Sequence, residues 1–162
     1  MIFFVFRKND GSMYERMVSL LTGMFVHVDL VLDNKAYSAY VNETFSVSDI
    51  DLTNPLYTVL GLELAQEEEN KIREWVTSQV ENKTPYNYSD LYHCVVPIPP
   101  FTSDTQPSTV KHLFCSQACI LALRLAVTEN EDLKNAIAKV NSRTCTPNHL
   151  FRVLKPFCEL YK

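Results

Sequence analysis

"MFVHVDLVL", Met24–Leu32, is the stretch from which the rest of the chain is read. Val26, Val28, Leu30 and Leu32 alternate with His27, Asp29 and Val31. Successive side chains of a strand point to opposite faces. The alternation therefore predicts a strand with one aliphatic face, and a second face that carries His27 and Asp29 two residues apart. "DN", Asp33–Asn34, starts a turn, and "KAYSAYV", Lys35–Val41, is the antiparallel partner that returns from it. Upstream, "IFFVF", Ile2–Phe6, predicts a short buried strand ended by the turn-prone "KNDG". "SMYERMVSLLTG", Ser12–Gly23, predicts a helix, with Ser12 at the N-cap, Glu15 placed as in a capping box and Gly23 after the end.

Downstream, one or two more strands are expected between Phe45 and Leu64, with "YTVLGLEL" the clearest. "AQEEENKIREWVTSQVENK" predicts an amphipathic helix: Leu64, Ile72, Trp75, Val76 and Val80 recur near helical spacing, and glutamates fill its first turns, where they suit the dipole. "TPYNYSDLYHCVV" predicts a turn and a short helix. "PIPPFTSDTQPST", residues 97–109, holds four of the eight prolines and predicts a surface loop or flap. "HLFCSQACILALRL", His112–Leu125, predicts a helix with Cys115 at its mouth and Cys119 one turn further on. Two helices follow, "NEDLKNAIAKVN" and "TPNHLFRVLKPF", with Asn130 and Thr146 as N-caps and Pro147 at N1.

A chain of 162 residues is most simply a single domain, 1–162. The net charge of −4, with scattered Lys and Arg, speaks against a nucleic-acid surface, which needs clustered cations to replace phosphate counterions. No stretch reaches the ~18 apolar residues of a membrane span, and "MIFFVF" lacks the charge order of a signal peptide. Five cysteines without an export signal point to reduced thiols in a cytoplasmic setting. Three dispersed glycines exclude a phosphate-cradling loop, and no cofactor is expected.

Cys115 has three readings. It is core filler, as most buried thiols are. It is a zinc ligand, through Cys115-x3-Cys119 and Cys145-x3-His149, although this spacing departs from common zinc motifs and no metal is expected. Or it is a nucleophile, because a thiol at a helix start faces unpaired N–H groups that favour thiolate. A nucleophile needs a base and a group that orients the base. Of the four histidines, His27 stands on the most regular strand and offers the stiffest scaffold. Asp29 is either its orienter or a charge that guards a strand edge. Ser38, Tyr37 and Tyr40 on the next strand are the rivals.

"VHVDLV" followed much later by "FCSQAC" resembles the circularly permuted papain-like fold of the NlpC superfamily. That branch includes YiiX-type bacterial proteins, lecithin retinol acyltransferase relatives and members from poxviruses and other large DNA viruses. "YNYSDL" (86–91) and "CTPNHLFRVL" (145–154) are similar to further segments of the pattern, so the likeness runs in order along nearly the whole chain. It implies an α+β papain-like fold, a small antiparallel sheet packed against helices. It implies Cys115 as nucleophile, His27 as general base, and an amide- or ester-containing substrate, peptide or lipid. The family's third polar residue falls on "KAYSAYV", where Ser38 or a tyrosine stands, unless Asp29 takes the part. Gln117, Tyr86 and Phe101 are the expected substrate contacts. The implied activity is thiol hydrolysis or acyl transfer. The alternative is a degenerate site on a viral interaction protein, and a third class is a zinc-stabilised structural module. A viral member is expected in the host cytoplasm or the virion.

Overall fold

The computed structural model describes residues 1–12, 15–16, 19–20, 23–95 and 104–161, without the side chains of residues 93 and 95. Six strands form one antiparallel sheet: β1 Ile2–Lys8, β2 Phe25–Leu32, β3 Lys35–Ser38, β4 Ser46–Asp49, β5 Tyr57–Leu62 and β6 Glu159–Leu160. Their order across the sheet is β4-β3-β2-β1-β5-β6. Five helices are described: α1 Gln66–Glu81, α2 Tyr88–Val95, α3 Cys115–Ala126, α4 Glu131–Ala138 and α5 Pro147–Leu154. The α+β class expected from the sequence is therefore what the chain adopts.

The β2–β3 hairpin turns on Asp33 and Asn34, both at positive φ (48° and 60°), as a two-residue primed turn requires. β1 lies between β2 and β5, with Phe4 opposite Leu30 and Leu60. Its alternate residues Ile2, Phe4 and Phe6 join Val28, Leu30 and Leu32 in the main core, under α1, α3, α4 and α5. On the other face Val5, Val31, Ala36 and Val59 form a smaller cluster, partly covered by Ile50, Leu52 and Tyr57. Both faces of β2 are thus covered. A solvated polar face for His27 and Asp29 does not exist: they are 7% and 2% exposed.

β3 pairs with β2 only from Leu30 to Leu32. Upstream of that point the edge of β2 is closed by side chains. At Phe25 the Asn148 amide stands in for a neighbouring strand, with its Oδ1 accepting from Phe25 N (3.0 Å) and its Nδ2 donating to Phe25 O (2.8 Å). At Val28 the carbonyl accepts from Ser38 Oγ (3.1 Å). The edge between these two points is where the start of α3 arrives.

The helix expected from Ser12 to Gly23 falls partly outside the described residues. Ser12 Oγ accepts from Glu15 N–H (3.2 Å), as an N-cap does, but Glu15 turns its carboxylate to Asp10 N–H and Arg7 rather than back to Ser12. The Asn130 and Thr146 caps form as expected, on Leu133 N–H (2.9 Å) and His149 N–H (3.2 Å). β6 is an element that the sequence pattern does not announce, being two residues long.

Candidate active site

β2 supplies His27 and Asp29 from one face. His27 Nε2 lies 3.0 Å from Asp29 Oδ1 and 3.0 Å from Ser38 Oγ. The Ser38 hydroxyl spends its single proton on Val28 O, so its lone pairs are left to accept from Nε2–H. Asp29 Oδ1 also accepts from Tyr40 OH at 2.9 Å. The Tyr40 ring stacks on the imidazole, with centroids 4.4 Å apart and planes 19° from parallel. The ring is fixed at its edge by two acceptors and on its face by an aromatic. Nδ1 is the nitrogen that remains for the thiol.

Cys115 is the first residue of α3, and no side chain caps that helix. Its thiol lies beside His27 and near the backbone N–H groups of Val28 and Ser116, all of which favour its charged form. The Val28 N–H is available because β3 has left the edge of β2 by that point. Helix start and strand edge therefore both present donors to one sulfur.

The electrostatics follow from this enclosure. Burial opposes charge on His27, but Asp29 and then Cys115 outweigh it and push the ring well above its usual value. Burial likewise opposes thiolate at Cys115, and the His27 charge outweighs it, so this thiol is lowered. Burial also opposes charge on Asp29, which His27 and the hydrogen bonds from its neighbours hold low nonetheless. The other described thiols move the opposite way. Burial raises Cys94 and Cys158 to about 12, and raises Cys119 and Cys145 as well. An imidazolium–thiolate pair is the charge state this surrounding favours, and one cysteine of five has it.

Cys115, His27, Asp29 and Ser38 thus meet at one point. Other expected contacts do not. Gln117 is fully buried, with its Oε1 accepting from Asn87 Nδ2 (3.1 Å) and its Nε2 donating to Asp90 Oδ2 (3.2 Å). Asp90 also takes the Arg143 guanidinium (2.9 Å). A buried carboxylate needs such donors, and the Gln117 amide is taken up in bracing the start of α3. Tyr86 lies in the main core with its ring against Tyr88, 4.9 Å between centroids, and its backbone bridges Leu113. Phe101 falls outside the described residues.

The described part of the Pro-rich loop is tied to other places in the fold. Asp104 accepts from Arg124 Nη1 (2.7 Å) near the far end of α3, and Pro107 O accepts from Trp75 Nε1 (3.4 Å). Arg124 is nine residues from Cys115, about 13 Å along a helix. This part of the loop does not line the thiol. The zinc reading finds no support either: among the described residues no three His, Cys, Asp or Glu side chains are grouped to hold a metal ion.

Tyr40 is the residue that sequence reasoning left among several rivals. Its signal was present: it stands two residues after Ser38, which places both toward the same side of an extended chain. The position of Asn148 carried no such signal. No family model, curated protein or solved structure matches the chain, so the grouping of these five side chains rests on its own geometry.

Proposed function

We propose that this chain is a thiol hydrolase or acyltransferase that acts on an amide or ester through Cys115 and His27. The observation that carries the reading is the buried grouping of Cys115, His27 and Asp29, with His27 bonded to Asp29, the thiol shifted down and the ring shifted up. The order of strand histidine before helix cysteine supports the permuted papain-like assignment made from the motifs.

In this mechanism the Cys115 thiolate attacks a carbonyl carbon, and the oxygen gains charge beside the uncapped start of α3. One backbone donor aimed at such an oxygen is worth roughly 3 kcal/mol. The His27 imidazolium then protonates the leaving amine or alcohol, and a thioester remains. Neutral His27 next draws a proton from water or from a second acceptor, which releases the acyl group. Asp29 and Ser38 hold Nε2–H, so Nδ1 is the atom that gives and takes the proton. The thiol is only 6% exposed and His27 7%, which suits a slim acyl chain, a peptide or a lipid tail, better than a bulky group.

The test is site-resolved alkylation of the native protein with limiting iodoacetamide across about pH 5–8, in wild type and His27→Ala. Selective labelling of Cys115 below its free pKa of ~8.5, lost in the variant, is expected. Labelling of Cys115 no faster than Cys94 or Cys158 would remove the reading, and would leave a non-enzymatic interaction protein in its place.

A further inference from the structure

Tyr40 stacks on the His27 ring, yet no strand holds it there. β3 ends at Ser38, and its ladder with β2 runs only from Leu30 to Leu32. Tyr40 instead opens a four-residue turn, closed by Glu43 N–H on Tyr40 O (3.0 Å), with Asn42 at φ 68°. That φ lies in the left-handed region, which asparagine tolerates better than most residues. The stems of the turn are anchored. Ala39 and Phe45 are buried, and Phe45 N–H donates to Thr84 O (2.7 Å). The tip, Val41, Asn42 and Glu43, is exposed.

Among the described residues, the hydrogen bonds that this tip makes outside the turn go to Tyr88. Asn42 N–H donates to Tyr88 Oη (2.8 Å), and the Tyr88 hydroxyl donates back to Asn42 Oδ1 (2.9 Å). Tyr88 is the first residue of α2, and its ring lies against the buried ring of Tyr86. The residue before it is fixed to the Cys115 side of the site. Asn87 N–H donates to Leu113 O (2.9 Å), and Asn87 Nδ2 donates to Gln117 Oε1 (3.1 Å). The bonds at the tip therefore tie the turn that begins at Tyr40 to the frame that carries α3.

We propose that Tyr88 is a positioning residue for His27: through its reciprocal pair with Asn42 it seats Tyr40 on the imidazole and on Asp29. The inference rests on His27 serving Cys115, as proposed above. The stacked ring and the Tyr40 bond to Asp29 Oδ1 set the plane of the imidazole, and with it the direction of Nδ1. With the pair broken, the turn keeps its stems and its closing bond, but its tip no longer meets a fixed point. Tyr40 then samples positions off the ring. Two hydrogen bonds of ordinary net strength are worth roughly tenfold in such an equilibrium. The stacked state loses population while the buried stems keep the fold.

The experiment records NMR spectra of the full chain with isotope-labelled histidine, in wild type, Tyr88→Phe, Asn42→Gly and Asn42→Asp. Tyr40→Leu is the unstacked reference, and His27→Gln assigns the ring signals. Protons over an aromatic face are shifted upfield, so the His27 ring protons in wild type should lie upfield of their place in Tyr40→Leu. In Tyr88→Phe they should move toward the Tyr40→Leu position. Asn42→Gly keeps the backbone bond and the positive φ, and should move them less. Asn42→Asp keeps the acceptor and should leave them in place. The pH midpoint of Cys115 labelling by iodoacetamide should shift in Tyr88→Phe and stay in Asn42→Asp. Wild-type ring shifts in Tyr88→Phe overturn the inference. So do altered ring shifts with an unmoved labelling midpoint, and so does an Asn42→Asp protein that behaves as Tyr88→Phe. Absence of selective Cys115 labelling in wild type removes the catalytic reading instead, and the ring shifts still decide the seating of Tyr40.

Discussion

At the scale of single residues, the site depends on who holds the imidazole. Asp29→Asn removes the charge that does most to raise His27 against burial, and Cys115 then loses part of its own stabilising partner. Opposite charges at this range shift a pKa by about 1–3 units. Alkylation of Cys115 near pH 6 should fall by about tenfold or more in Asp29→Asn, and its pH midpoint should move upward. Tyr40→Phe keeps the stacked ring and loses one hydrogen bond to a carboxylate, a change of about 1.5–3 kcal/mol in the supporting group. Its labelling profile should shift in the same direction by less. An unchanged midpoint in Asp29→Asn would assign the orienting role to Ser38. Much of this was legible in the sequence, since His27, Asp29 and Ser38 could be placed by alternation and Cys115 by its helix start. What alternation could not give is depth. It marked a polar face on β2, whereas Tyr40 stacks on His27 and Ile50, Leu52 and Tyr57 pack on the apolar cluster of that face.

At the scale of elements, two devices set where α3 meets β2. The first is Gly23 with Asn148. Gly23 has φ +101°, and a Cβ there would come within 2.9 Å of the Asn148 side chain, the same amide that pairs with Phe25. Gly23→Ala should therefore destabilise by more than about 1 kcal/mol, measured by urea unfolding. Asn148→Ala leaves a backbone donor and acceptor of Phe25 without their partner and should cost about 1–3 kcal/mol. The second device is Asp90, which ties α2 to α3 and to Arg143. Asp90→Ala removes the carboxylate that this guanidinium and the Gln117 amide share, and should cost about 2–4 kcal/mol while lowering the selectivity of Cys115 labelling. A stable, fully selective Asp90→Ala protein would show that α3 needs no such brace. The helices themselves were readable from caps and periodicity. These ties were not, because they join residues far apart in sequence through groups with no local pattern.

At the scale of the whole molecule, the buried pair links stability to pH. His27 is raised in the fold, so its contribution is complete below its unfolded value of ~6.5 and fades as pH rises through the folded value. Asp29 is lowered, so its contribution is present above its unfolded value of ~3.9 and fades as pH falls through the depressed one. The difference in urea midpoint between wild type and His27→Gln should be widest between about pH 4 and 6.5 and should narrow on either side of that window. A difference that widened toward alkaline pH would contradict the raised imidazole. No described helix is long and apolar enough to cross a membrane.

Cys115 and His27, the proposed nucleophile and base, come from places separated by more than half the chain. Neither the hairpin that carries His27 nor the helix that carries Cys115 can make a reactive thiol alone. A chain still emerging from synthesis, or one unfolded by stress, holds five ordinary sulfhydryls and no reagent among them. Reactivity toward iodoacetamide thus doubles as a gauge of tertiary assembly, and chemistry is withheld from every form of the protein that has not finished folding.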